Sequence, residues 1–233
     1  MLTARSFLLL CLIAACTTMH SYAQSQSPHN FFARDEESDN PRIFYGGLVA
    51  GGNFSQVDGD GFSGYHKAGL NFGATVYASF TSHFGASMEL LYTQKGSRER
   101  NYTEDAAGVG YVNDYDLKMN YVEVPVLLRY YASNRLHYGA GISYAQLINS
   151  KETAITYAPV NLDTSLYAFH KNDIDFVADV NYEFYKGWFL NFRFNYSVRS
   201  IRDGNRIPEN YGGGRFAGQY HNYFTLRLVY LIH

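Results

Sequence analysis

The residues best suited to chemistry in this chain are charged side chains that recur at even spacing. Asp175, Asp179 and Glu183 share one parity, as do Glu123 and Arg129, and Arg193 and Arg199, while Glu89 and Arg227 stand in similar alternating surroundings. A carboxylate and a guanidinium shut away from water must neutralise each other, because an unpaired buried charge is costly. Glu89, Glu123, Asp175, Asp179 and Glu183 against Arg129, Arg193, Arg199 and Arg227 come close to the balance that a closed ion-pair network needs. Catalytic and ligand-binding patterns are absent by comparison. His29, His66, His83, His137, His170, His221 and His233 are scattered and form no metal-ligand spacing. There is no G-x-S-x-G elbow and no P-loop. Asp58-Gly59-Asp60-Gly61 hints at a calcium loop but lacks the third ligand position and the distal Glu, so it reads as a connection between strands. Asp203 and Glu209 have no catalytic partner in the sequence. The expectation is a protein without enzymatic activity and without a metal or cofactor.

The elements that position these charges follow from a hydrophobic period of two. In 188–199, Trp188, Leu190, Phe192, Phe194, Tyr196 and Val198 share one face, opposite Asn191, Arg193, Asn195, Ser197 and Arg199. Successive side chains of a strand point to opposite faces, so this is one apolar wall and one polar wall. The pattern recurs in 43–55, 68–80, 84–95, 120–132, 136–147, 174–185 and 224–232, which makes eight segments. Short connections fall at Thr81-Ser82-His83, Ser133-Asn134-Arg135 and Lys186-Gly187, and long ones near 56–67, 96–118, 148–172 and 200–220.

Composition agrees. The 233 residues include 22 Tyr, 17 Phe and 21 Gly, with only 17% charged, where soluble domains carry about 25%. The net charge of −2 offers no basic field for nucleic acid. Mean hydropathy is only −0.26 because each strand averages an apolar and a polar face. An even number of strands with alternating short and long connections predicts an all-β, eight-stranded antiparallel up-and-down transmembrane β-barrel with a polar interior. Tyr92, Tyr130, Tyr144, Tyr182, Trp188 and Tyr196, at segment ends, would form its interfacial girdles. The opposite arrangement, a soluble or lipid-anchored periplasmic barrel around a small apolar ligand, would have to pack bulky aromatics from nearly every strand into a lumen that eight strands barely provide. The same narrowness argues for a plugged interior rather than a narrow channel. Gly47, Gly51, Gly73, Gly139 and Gly141 on the inward face leave room for long arginines.

Residues 1–23 read as a secretory signal, with Arg5, an apolar run from Phe7 to Ala15, and Ser21-Tyr22-Ala23 before a cleavage site. A competing lipobox reading, Ile13-Ala14-Ala15-Cys16, would lipidate Cys16. Cleavage after Ala23 removes Cys11 and Cys16, the only cysteines, so no disulfide holds the mature chain. Residues 24–41 are polar and acidic and read as a flexible periplasmic linker, leaving 42–233 for the barrel.

Two stretches carry a family resemblance. Glu89-Leu90-Leu91-Tyr92-Thr93-Gln94-Lys95-Gly96 and Tyr121-Val122-Glu123-Val124-Pro125-Val126-Leu127-Leu128-Arg129-Tyr130 resemble the PorT-like outer-membrane β-barrel family common in Bacteroidetes, as does Gly64-Tyr65-His66-Lys67-Ala68-Gly69. The resemblance implies an integral protein of the bacterial outer membrane, contacting its lipid, inserted by the barrel-assembly machinery, with periplasmic termini. The chain departs from such barrels in ending Leu231-Ile232-His233 rather than in Phe. Pro125 lacks an N–H and should weaken a ladder bond or mark a bulge. The four long loops are the expected functional surface, for partner docking or surface structure. Tyr102, Tyr111, Tyr115, Arg206, Tyr211, Arg215 and Tyr220 are the expected contacts for an unknown protein partner, since Tyr and Arg dominate interface hot spots.

Overall fold

The computed structural model describes residues 43–60, 62, 64–100, 112–156, 167–207 and 218–232. The expected signal and linker, 1–41, lie outside the described residues. Eight strands follow one another: β1 (Phe44–Asp58), β2 (Lys67–Ser79), β3 (Phe84–Arg100), β4 (Val112–Tyr131), β5 (Leu136–Thr156), β6 (Asn172–Tyr185), β7 (Trp188–Ser197) and β8 (Tyr220–Leu231). Each pairs antiparallel with its neighbours in the sequence, and β1 pairs with β8 to close the barrel, from Gly47↔Leu231 to Asp58↔Tyr220. Closure leaves no sheet edge inside the barrel wall, which is what allows a sheet to cross lipid.

The polar face is inside. Glu89 and Arg193 are each 2% exposed, whereas Leu128 is 72% and Ile142 63% exposed on the outer wall. In water such a continuous apolar exterior would drive association; in a bilayer it is the lipid-facing band. The apolar-ligand barrel needs the reverse arrangement and is overturned by this one. Aromatic pairs mark both ends of the band. Phe84 and Tyr130, and Trp188 and Tyr230, lie near the short turns. Phe72 and Tyr92, and Tyr196 and Tyr220, lie toward the long connections.

The three short turns fall where the alternation breaks, but β4 and β5 are longer than the apolar alternation, at 20 and 21 residues. They carry strand structure well into the segments expected to be the 96–118 and 148–172 loops. Above the band the outer face turns polar, with Asn120 bonded to Asn149 and Lys118 opposite Lys151, so the hydrophobic period fades while the ladder continues. A register shift between Asn120 and Tyr121 places Ile148 as an extra residue in β5. Such a bulge reverses which residues face inward beyond it. Pro125 sits in register opposite Ser143, so no bulge forms there. The β3–β4 ladder instead lapses between Met88↔Val126 and Leu91↔Glu123, beside the proline that has no N–H to give.

Candidate functional site

The barrel interior is filled in layers. Nearest the short turns, Tyr45, Val49, Tyr77, Leu91, Tyr131, Phe189, Val229 and Leu231 form an apolar cluster. The His137 ring meets Tyr77, Tyr131 and Phe189 edge-on.

Above it lies a charged cluster on β3, β4, β6, β7 and β8. Arg193 donates from Nη1 and Nη2 to the two Glu89 oxygens at 3.0 and 2.8 Å, and Arg227 does the same at 2.9 and 3.0 Å. Arg193 also donates to Asp179 Oδ2 from Nη2 at 2.7 Å and from Nε at 3.1 Å. Arg129 pairs with Asp179 through Nη1 and reaches Ser87 through Nε. Bidentate guanidinium–carboxylate geometry satisfies both partners, which is what makes burial of the charges tolerable. A side chain on Gly139 would place its Cβ 2.5 Å from Arg129 Nη1 and 2.6 Å from Asp179 Oδ1. Gly139 is therefore the glycine that makes room for a guanidinium. Gly47, Gly73 and Gly141 instead press on the backbone or side chain of a neighbouring strand, and Gly51 on both the backbone of β8 and the base of Arg227.

A second cluster surrounds Lys95. Its Nζ lies 2.6 Å from both Glu123 Oε1 and Asp175 Oδ2, and 3.7 Å from Asp173. Its charge stands over the rings of Tyr121 and Tyr223. Ser197 Oγ lies 3.0 Å from both Asp173 and Asp175. Tyr121 and His221 are in hydrogen-bond contact at 3.2 Å.

The end with the long connections is capped. Phe62 stacks on Tyr115 with centroids 4.1 Å apart, over Leu117, Met119, Ile201 and Ile207. Arg202 donates to both Glu152 oxygens, at 3.1 and 2.6 Å, and its guanidinium lies 3.7 Å from the Phe169 ring centroid. Tyr115 OH donates to the same Glu152. Asp60 accepts from the Phe62 amide at 2.9 Å and from Gln219 at 2.6 Å.

The expected network thus divides in two. Glu89, Arg129, Asp179, Arg193 and Arg227 meet in one cluster, and Glu123 and Asp175 in the other. Glu183 is buried at the short-turn end and accepts from the Gly187 amide. Arg199 is a correction: β7 ends at Ser197 and the chain turns to bury Ile201 in the cap, which leaves Arg199 exposed. Tyr115 is a second correction. It is 1% exposed, inside the cap, because β4 extends past the band and keeps its inward parity. Arg206 is exposed at the mouth, and Tyr220 lies half-buried against Tyr196. Tyr102, Tyr111, Tyr211 and Arg215 lie outside the described residues. Lys95 and Asp173 were missed as members, although both continue the inward parity of their strands. Arg202 and Glu152 lie in segments that lack the alternating signal. Among the described residues, no group of three or more His, Cys, Asp or Glu could hold a metal ion.

A family model described as outer membrane protein beta-barrel domain matches residues 23–203. The chain belongs to this family. It is a bacterial outer-membrane β-barrel protein, and its exposed apolar band is the surface that meets lipid. Among solved structures, this barrel is similar to Ail, the attachment invasion locus protein of Yersinia pestis. The identity is 12% and the TM-score 0.45, over 82% of this chain and all of that one. It is also similar to OprG of Pseudomonas aeruginosa, at 12% identity and a TM-score of 0.36 over 82% of this chain and 95% of that one. No curated protein sequence matches the chain.

Proposed function

We propose that the protein is a non-enzymatic, PorT-like outer-membrane barrel of the kind common in Bacteroidetes, plugged by its own side chains and displaying its long connections for partner docking or surface structure. The observation that carries this reading is the filled interior. An eight-stranded barrel encloses a space narrow enough for side chains to fill. Here that space holds the Glu89–Arg193–Arg227 cluster, the Lys95 cluster and the Phe62–Tyr115 cap in succession. An ion would have to break bidentate pairs to pass, which argues against the narrow channel. The chain is exported by the signal at 1–23, inserted by the barrel-assembly machinery, and held with both termini in the periplasm and the long connections outside.

The test has two arms. Purified protein should migrate faster on a gel before boiling than after, as a folded barrel does, and should fractionate with membranes. In a planar bilayer it should show no steady current. Heat-invariant migration with soluble protein would sink the barrel in lipid; a persistent conductance would sink the plug.

A further inference from the structure

We infer that Asp173 and Asp175 hold one proton between them, bound through Ser197, as a resident part of the Lys95 cluster. The hydrogen count at Ser197 carries the inference. Its Oγ lies 3.0 Å from Asp173 Oδ2 and 3.0 Å from Asp175 Oδ1, and it accepts the His221 backbone amide at 3.0 Å. A serine hydroxyl has one hydrogen to give and two lone pairs to fill. The amide fills one lone pair. The hydrogen serves one carboxyl, so the other must bring a hydrogen of its own and donate it to the second lone pair. Whichever aspartate carries it, the pair holds one proton. Two ionised carboxylates would leave one oxygen against the hydroxyl with no hydrogen between them. In a site closed to water such a contact is costly, and Asp173 and Asp175 are both buried.

The groups around the pair agree. β3 brings Lys95 to the site, β4 brings Glu123 and Tyr121, and β8 brings His221 and Tyr223. The Lys95 ammonium faces three carboxylates, Glu123, Asp173 and Asp175. β5 closes the wall with Ser143 opposite Asp175 and Ala145 opposite Asp173, neither of which titrates. β1 and β2 contribute Asn53 and Asn71, bonded to Thr225 and Thr93, and these do not titrate either. One shared proton reduces the excess negative charge, and the hydroxyls of Thr93 and Tyr223 reach the carboxylate oxygens that remain ionised. The His221 ring is no alternative home for the proton. Its Nε2 meets Tyr121, and its Nδ1 is buried without a partner among the described residues, so a second ring hydrogen would find no acceptor. Asp173 Oδ1 also lacks a partner, which a neutral carboxyl group tolerates better than an ionised one.

The test reads the proton directly. It uses the full chain in detergent micelles, isotopically labelled at the aspartate carboxyl carbons, with Asp60→Asn to remove a separate carboxyl in the cap. At about pH 7, well above the ordinary carboxylate range, infrared spectra should show one protonated aspartate carbonyl band, identified by its isotope shift. Adding Asp173→Asn or Asp175→Asn should abolish the band, because the amide supplies the hydrogen that the acid supplied. Heat-dependent gel mobility reports whether each variant folds. Stability gives a second readout. The folded pair keeps a proton that the unfolded chain releases above about pH 4, so stability falls as pH rises. Between about pH 5 and 7, the folding equilibrium constant of the Asp60→Asn protein should drop about tenfold more per pH unit than that of the same protein with Asp173→Asn. Absence of the band in the folded Asp60→Asn protein overturns the shared proton without any further variant. So does a band that survives both asparagine substitutions, or an equal pH slope in the two proteins.

Discussion

At the scale of single residues, Arg193 holds the interior together. It joins Glu89 and Asp179 at once, so Arg193→Leu leaves both carboxylates short of a partner in a site closed to water. Breaking a buried pair from one side costs about 3–5 kcal/mol. The urea midpoint of refolded protein in lipid vesicles should fall accordingly. Arg199→Leu, a change at an exposed position, should leave the midpoint within about 0.5 kcal/mol of the parent. Equal losses in the two variants would contradict the division of the network. A second residue sets a pH dependence. Burial pushes the Asp60 carboxyl up from 3.8 to about 7, against the opposing pull of the Phe62 amide, Gln219 and Arg202. The folded chain binds this proton more tightly than the unfolded chain does. The stabilisation is complete below 3.8 and is lost as pH rises through 7. Asp60→Asn should flatten the decline in thermal midpoint between these values; an unchanged slope would mean that another group titrates.

At the scale of elements, β6 and β7 were legible because both their faces carry a signal, with lipid demanding apolar residues and the interior demanding polar ones. The three short turns were legible for the same reason, as interruptions of that alternation. The upper parts of β4 and β5 were not legible. Outside the bilayer the exterior prefers charge, as at Lys118 and Lys151, while the interior at Tyr115, Leu117 and Met119 has become apolar. The preference inverts along one strand, and no single period describes it. The bulge at Ile148 hides Glu152 further, since strict alternation from Leu136 would turn it outward. This has a test. Deleting Ile148 removes the extra residue and keeps Glu152 inward. Deleting Ser150 leaves the bulge and turns Glu152 away from Arg202. Trypsin should therefore cut after Arg202 at least about tenfold faster in the second variant, the loss of one hydrogen-bonded charge being worth about 1–3 kcal/mol. Similar cleavage of the two variants would refute the inward placement of Glu152.

At the scale of the whole molecule, stability depends on which wall meets which medium. Ile142 lies within the apolar band, opposite Val126, while Thr153 pairs with Asp116 above it. Ile142→Arg should cost about 2–4 kcal/mol in vesicle refolding, near the value for a lipid-facing arginine at mid-membrane, and Thr153→Arg about 0–1 kcal/mol. Comparable penalties at the two positions would place the band elsewhere.

The seam between the first and last strands also governs the order of assembly. Arg227 reaches Glu89 across 138 positions of the chain, and Asp58 meets Tyr220 at the other end of the seam. Neither contact exists until β8 has been made and exported. A nascent barrel lacking β8 carries an open edge on β1 and a half-neutralised Glu89, and it has no local route to cure either defect. Folding dominated by such distant pairings is slow. Closure in register and completion of the charge cluster therefore both require β8, so a chain cut before Tyr220 should stay an open sheet with Arg227 missing from Glu89.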